Sequence, residues 1–150
     1  MIKFEIKNLE TGKKESYEKE CITLGEAEAF YELQENIGKE YEKARAKAEI
    51  EIEKEHGNTK DFVSSDLYNQ IFERKYMNHL DARKIRKLSR DYFVSLFASQ
   101  GLTEDDVLNS MGTLLYDKIT KEIFREISGE DEETDKNESK ESGKSEKQAQ

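Results

Sequence analysis

The chain has 150 residues, 34% hydrophobic and 39% charged, with no tryptophan and a formal net charge of −9. That length holds one modest domain with a thin core, since a small domain buries a lower fraction of its surface. The acidic balance disfavours nonspecific adhesion to DNA or RNA, whose phosphates repel it, and favours a basic or apolar protein partner.

A lone cysteine, Cys21, has no internal disulfide partner and fits a reducing compartment. The opening residues lack an apolar signal core, and no segment approaches the roughly 20 apolar residues of a membrane span. The expectation is a soluble, cytosolic protein. Proline is absent, so no fixed φ interrupts a long helix.

Alternation opens the chain. Ile2, Phe4 and Ile6 share one side and Lys3, Glu5 and Lys7 the other, the period of a half-buried strand. Gly12 suits a turn, and 15–22 returns as a second strand with Tyr17, Cys21 or Ile22 facing inward. Such a hairpin, over about 1–22, is marginal alone and needs a helix or another subunit to lean on.

Thr23 and Glu26 form a capping-box pattern at the head of a long helix that runs to about His56. Its stripe is Leu24, Ala27, Phe30, Leu33 or Tyr31, Ile37, Tyr41, Ala44, Ala48 and Ile52. The second half is mostly Ala, Lys and Glu, with strong helix propensity and little to bury. It is expected to project, pack thinly or pair with another chain. Gly57 or Asn58 supplies a left-handed cap.

Ser64–Asp66 offers the next N-cap, before a helix carrying Leu67, Ile71, Phe72, Tyr76 and Leu80. Asp81 can cap a fresh helix, along which Ile85, Leu88, Tyr92, Leu96 and Phe97 continue the stripe. Gly101 is the expected stop, with Leu102 as the apolar contact after it. Thr103 caps the last helix, whose first turn carries Glu104, Asp105 and Asp106 at the positive end of the dipole. Val107, Leu108, Met111, Leu115, Ile119, Ile123 and Ile127 read as one stripe along it. Residues 128–150 hold eight acids and four lysines with no large apolar side chain, a composition that predicts disorder. The fold class expected is mainly α: an N-terminal β-hairpin, three to five helices within 1–127, and an acidic tail.

The residues argue against an enzyme. Cys21, His56 and His79 sit in no known nucleophile signature, and Cys21 reads as a small buried hydrophobe. Glu53 and His56 make half of a di-iron helix motif, but Tyr76 stands where the second glutamate would precede His79; a solvated helix end explains the pair more simply. The glycines are scattered and form no phosphate loop. No catalytic, cofactor or metal residue is assigned.

Two surfaces remain. Arg83, Arg86, Lys87 and Arg90 share a helix face, near Lys84 and downstream of Arg74 and Lys75; that face could meet phosphates, an acidic partner or the chain's own tail. In the dense run over 91–111, Tyr92 and Leu96, with Leu88 before them, suit an internal core. Phe93 and Phe97 suit either core or a partner interface.

The strand pair, the capped helical body with "FASQGLTEDDVL" from Phe97 to Leu108, and the acidic tail resemble the tail assembly chaperones of long-tailed bacteriophages infecting Gram-positive hosts. The resemblance covers about 1–127 in layout and implies a non-enzymatic role. Such chaperones bind the long, coiled tape measure protein in the host cytoplasm and are released as major tail (tube) protein subunits arrive. They self-associate, are absent from the mature virion and often have a longer frameshifted form. The partner-binding set expected here is Phe72, Tyr76, Phe93 and Phe97, with Arg83, Arg86, Lys87 and Arg90 steering the client electrostatically. Membrane and nucleic acid are not expected partners. The alternatives are a small nucleic-acid-binding regulator using 83–90 and a structural virion subunit.

Overall fold

A computed structural model describes residues 1–57 and 60–129. The tail, from residue 130 on, and the alternative cap Asn58 lie outside the described residues. The fold is mainly helical with an N-terminal hairpin. In chain order the elements are β1 (Ile2–Lys7), β2 (Lys14–Lys19), α1 (Leu24–His56), α2 (Lys60–Val63), α3 (Asp66–His79), α4 (Ala82–Phe97), a 3-10 turn (Ala98–Gln100), α5 (Glu104–Ser110) and α6 (Thr113–Ser128). They build two compact units: Met1–Ala27 together with the described residues from Phe93 onward, and Glu28–Tyr92. No described helix is long and apolar enough to cross a membrane.

In the first unit, β1 and β2 pair antiparallel from Ile2↔Lys19 to Lys7↔Lys14. Ile2, Phe4, Ile6 and Tyr17 are buried, as the alternation requires. β2 stops at Lys19 rather than Ile22, because β1 has only Met1 left to pair beyond Ile2. Cys21 is therefore exposed, not a buried hydrophobe. The Ile22 N–H leaves the ladder and donates to Glu126 Oε2 at 3.2 Å.

The capping box at the head of α1 is present. The Thr23 N–H donates to Glu26 Oε1 at 3.0 Å and the Glu26 N–H to Thr23 Oγ1 at 3.2 Å. Lys19 reaches the same carboxylate at 2.7 Å. Burial first pushes the Glu26 carboxyl up, but its hydrogen bonds and charge contact with Lys19 and Thr23 outweigh that and leave it below its ordinary value.

Phe4 organises the core of this unit. Its ring stacks on Tyr17 at 5.3 Å, meets Phe97 edge-on at 4.9 Å and lies 5.8 Å from Phe93. Phe93 also packs on Tyr116 at 5.0 Å. Leu96, Leu102, Val107, Met111, Ile119 and Ile123 complete the apolar interior. Gly101 takes the left-handed conformation at φ 97°, which lets the Leu102 N–H turn back to the Phe97 carbonyl at 3.3 Å. Thr103 and Asp106 then cap α5 reciprocally, at 3.0 and 3.2 Å.

The single last helix expected from Thr103 onward is two helices. Met111 is extended (φ −95°, ψ 125°), and α6 restarts after Gly112. Val107, Met111, Leu115, Ile119, Ile123 and Ile127 recur every fourth residue, and at 3.6 residues per turn each step drifts by about 40°. One straight helix would carry the later residues off the core. The break resets the phase, so that Val107 is buried from α5, Met111 from the break itself and Ile119 and Ile123 from α6. Leu108 is left exposed. Ser128, expected in the tail, closes α6, and Gly129 caps it in the left-handed region at φ 77°. With this split and the single-turn α2, the described residues hold six helices.

The second unit contains most of α1, with α2, α3 and most of α4. Ion pairs set the direction of packing: α3 reaches α1 through Lys75 to Glu51 and Glu55 at 3.5 and 3.0 Å, and α4 through Lys84 to Glu40 at 2.7 Å. As the chain advances from Lys75 to Lys84 its partners retreat along α1, so α3 and α4 run antiparallel to it. Ser65 caps α3 by accepting the Tyr68 N–H at 3.1 Å, and Asp81 caps α4 by accepting the Lys84 N–H at 3.1 Å. The expectation for the second half of α1 is overturned. Ala44, Ala48 and Ile52 are its buried residues, whereas Tyr31 and Tyr41 in the bulkier half are exposed. Alanines at four-residue spacing form a narrow, filled seam, and the larger side chains sit where less covers them.

Candidate interaction surfaces

α3 carries Leu67, Tyr68, Ile71, Phe72, Tyr76 and Met77, yet none of its side chains is fully buried. Spacing of four residues aligns three of its rings along one face. Tyr68 stacks on Phe72 at 6.1 Å, and Phe72 on Tyr76 at 6.0 Å. Phe62 of α2 meets Tyr68 edge-on at 5.7 Å and His56 of α1 at 5.1 Å, so the row of rings reaches the end of α1. Phe72 and Tyr76 are half-buried, while Leu67 and Met77 are 57% and 60% exposed.

Phe93 and Phe97 leave the expected partner-binding set. Both are buried in the first unit's core against Phe4, because the wide apolar sector of α4 faces the hairpin there. The basic residues fare differently. Arg83 and Arg86 are exposed and carry no ion pair among the described residues; Lys87 pairs with Asp91 at 3.2 Å and Arg90 is half-buried. Lys84 is drawn off the strip by Glu40, whose hydrogen bond raises the lysine's pKa and whose own carboxyl is correspondingly lowered. No group of three or more His, Cys, Asp or Glu side chains among the described residues is placed to hold a metal ion.

A charged clasp joins α1 to α3. His79 Nε2 lies 2.7 Å from Glu51 Oε1, and Lys75 bridges Glu51 and Glu55. The hydrogen bond to His79, then those charges and Lys75, hold the Glu51 carboxyl below its ordinary value against the opposing effect of desolvation. A depressed carboxylate stabilises the fold fully above its unfolded value and loses that contribution as pH falls through the folded value. Glu51→Gln should therefore be less stable than the parent at neutral pH. In urea melts the gap should close as pH drops below the ordinary glutamate value of about 4.3. A gap that persists at the acid end would exclude the carboxylate as its source.

The sequence reading missed Gln100. Its side-chain amide accepts the Glu18 N–H at 2.9 Å and donates to the Glu18 carbonyl at 2.7 Å, across 82 residues of chain. No local pattern announces a partnership of that span. Beside it lies a 360 Å³ cavity whose lining includes Ile6, Glu15, Tyr17, Gln100 and Asp106.

Compared with known proteins, the chain matches no family model, no curated protein and no solved structure.

Proposed function

We propose that the protein is a non-enzymatic chaperone of phage tail assembly. In this reading it covers apolar helix faces of the tape measure protein in the host cytoplasm, keeps that client soluble, yields it as major tail protein arrives and is not retained in the virion. Self-association accompanies the role. The observation that carries the reading is α3, a helix with six large apolar residues and no fully buried side chain. A helical client offers the complementary stripe, since helix-to-helix recognition proceeds through such faces. The resemblance of Phe97–Leu108 and its layout to the chaperone family supplies the identity of the client. With Phe93 and Phe97 buried, and Phe72 and Tyr76 half-buried on the side of α3 that carries Lys75 and His79 to α1, the docking role falls on the outward side of α3, at Leu67 and Met77.

Co-expression with a tape measure protein tests this. The parent should raise the client's soluble yield, and the Leu67→Glu, Met77→Glu double variant should not. Both positions are exposed, so the change in stability should stay within about 0.5 kcal/mol per site. Equal client yield with and without the parent protein would overturn the proposal.

The exposed Arg83 and Arg86 favour one second reading, a nucleic-acid-binding regulator. It requires retardation of DNA or RNA at low salt that Arg83→Glu, Arg86→Glu abolishes. No retardation at low salt dismisses it.

A further inference from the structure

β2 lies at the margin of a two-stranded sheet, and its outward-facing groups can be assigned. In an antiparallel ladder the N–H and C=O of one residue point to the same side, and the side alternates along the strand. Both groups of Glu18 go to Gln100 and so point away from β1. Next to the turn, the Asn8 N–H donates to the Lys13 carbonyl at 2.8 Å, which fixes the same alternation from the other end. Lys14, Ser16 and Glu18 therefore turn their backbone groups outward. At Glu18 the Gln100 amide takes the place of a peptide group in a neighbouring strand. At Ser16, the next rung, no side chain among the described residues does so.

The surroundings of that rung are shaped and charged. The 360 Å³ cavity opens beside it, with Ile6 and Tyr17 among its apolar lining and Glu15 and Asp106 bringing carboxylates. Burial, then the charges of Asp106 and Glu15, push the Tyr17 hydroxyl above its ordinary value, so both carboxylates act on the same spot. Lys13 is the one lysine among the described lining residues; it meets Glu15 at 3.7 Å with both side chains largely exposed, a weak and replaceable pairing. Lysines usually guard open strand edges; Lys14 leans back to Glu5 of β1 at 3.6 Å, a contact as exposed and replaceable as that of Lys13, so an incoming strand must displace it.

We propose that the edge of β2 at Ser16 and Lys14 accepts an extended peptide segment of a partner protein as a third strand, with a lysine or arginine side chain of that segment entering the cavity between Glu15 and Asp106. Backbone bonds to Ser16 hold the segment, and alternation sends every second side chain inward, opposite Glu15 and Tyr17. Gln100 marks where the added strand ends. The proposal stands apart from the helical client: it concerns the first unit and an extended ligand, and neither reading needs the other.

The probe is the acetylated, amidated peptide Thr-Val-Lys-Val-Thr, titrated into the full-length, nitrogen-labelled protein at low salt. The Ser16 and Lys14 amides should shift and exchange more slowly with solvent, and added salt should weaken binding. Ser16→Pro removes an outward N–H that β1 does not use, and should weaken binding at least about tenfold. The same peptide with glutamate for lysine should not bind. Should Ser16→Pro disturb the Phe4 and Tyr17 ring signals, Glu15→Lys is the replacement variant, with the same loss expected. No response at Ser16 to millimolar peptide, or equal binding of the glutamate peptide, overturns the proposal. So does a dimer of the free protein that Ser16→Pro dissolves, since the occupant would then be a second copy.

Discussion

Phe97→Ala should cost about 3–5 kcal/mol of folding stability, the range for deleting a buried aromatic ring. The ring is 0% exposed and sits where three others converge, 4.9 Å from Phe4, 5.6 Å from Phe93 and 6.4 Å from Tyr17. Those rings come from β1, β2 and α4, so the vacated space has walls on separate elements and cannot close by one side-chain shift. Typical domains have only about 5–15 kcal/mol to lose. Urea denaturation followed by tyrosine fluorescence measures the loss, and Phe97→Leu should recover a large part of it. A loss under about 1 kcal/mol, the level of an ordinary point mutation, would move Phe97 out of the core and back among candidate contact residues.

Ala48→Leu carries the second large effect, and its sign separates two pictures of α1. A thinly packed second half would welcome the extra methylenes and become more stable. The filled seam around Ala48, which is 0% exposed, has no room for them; overpacking should cost about 1–3 kcal/mol. Ala46→Leu, two residues earlier on the exposed side, is the control and should change stability by less than about 0.5 kcal/mol. Thermal melts of both variants against the parent settle the sign.

Local chemistry was the legible part. Alternation found β1, side-chain caps found the starts of α1, α3, α4 and α5, and Gly101 with Leu102 found the turn after α4. Each of these signals lies within four or five residues. Failures came where several elements act together. The composition of α1 suggested that its Ala-rich half had nothing to bury, but small residues are what a narrow seam takes. The four-residue recurrence from Val107 looked like one helix until its drift was followed over several turns. Periodicity allotted Phe93 and Phe97 to a wide apolar sector without saying that the hairpin covers it. In the candidate surfaces, α3 and the basic strip were visible from spacing alone, whereas Gln100 and the carboxylates beside Tyr17 join parts of the chain too far apart for any pattern to connect.

The first unit is assembled from both ends of what the structure describes, and the second from the stretch between them. During synthesis the hairpin leaves the ribosome long before its cover. Ile2, Phe4 and Ile6 must wait for Phe93, Phe97 and Ile119, an interval on the order of 5–20 s at ordinary translation rates. The intervening segment is contiguous and can close on itself in the meantime. A nascent chain that has emerged from the tunnel only as far as Tyr92 would thus present a closed helical middle and a sticky, uncovered hairpin, the form in which a holdase would meet it.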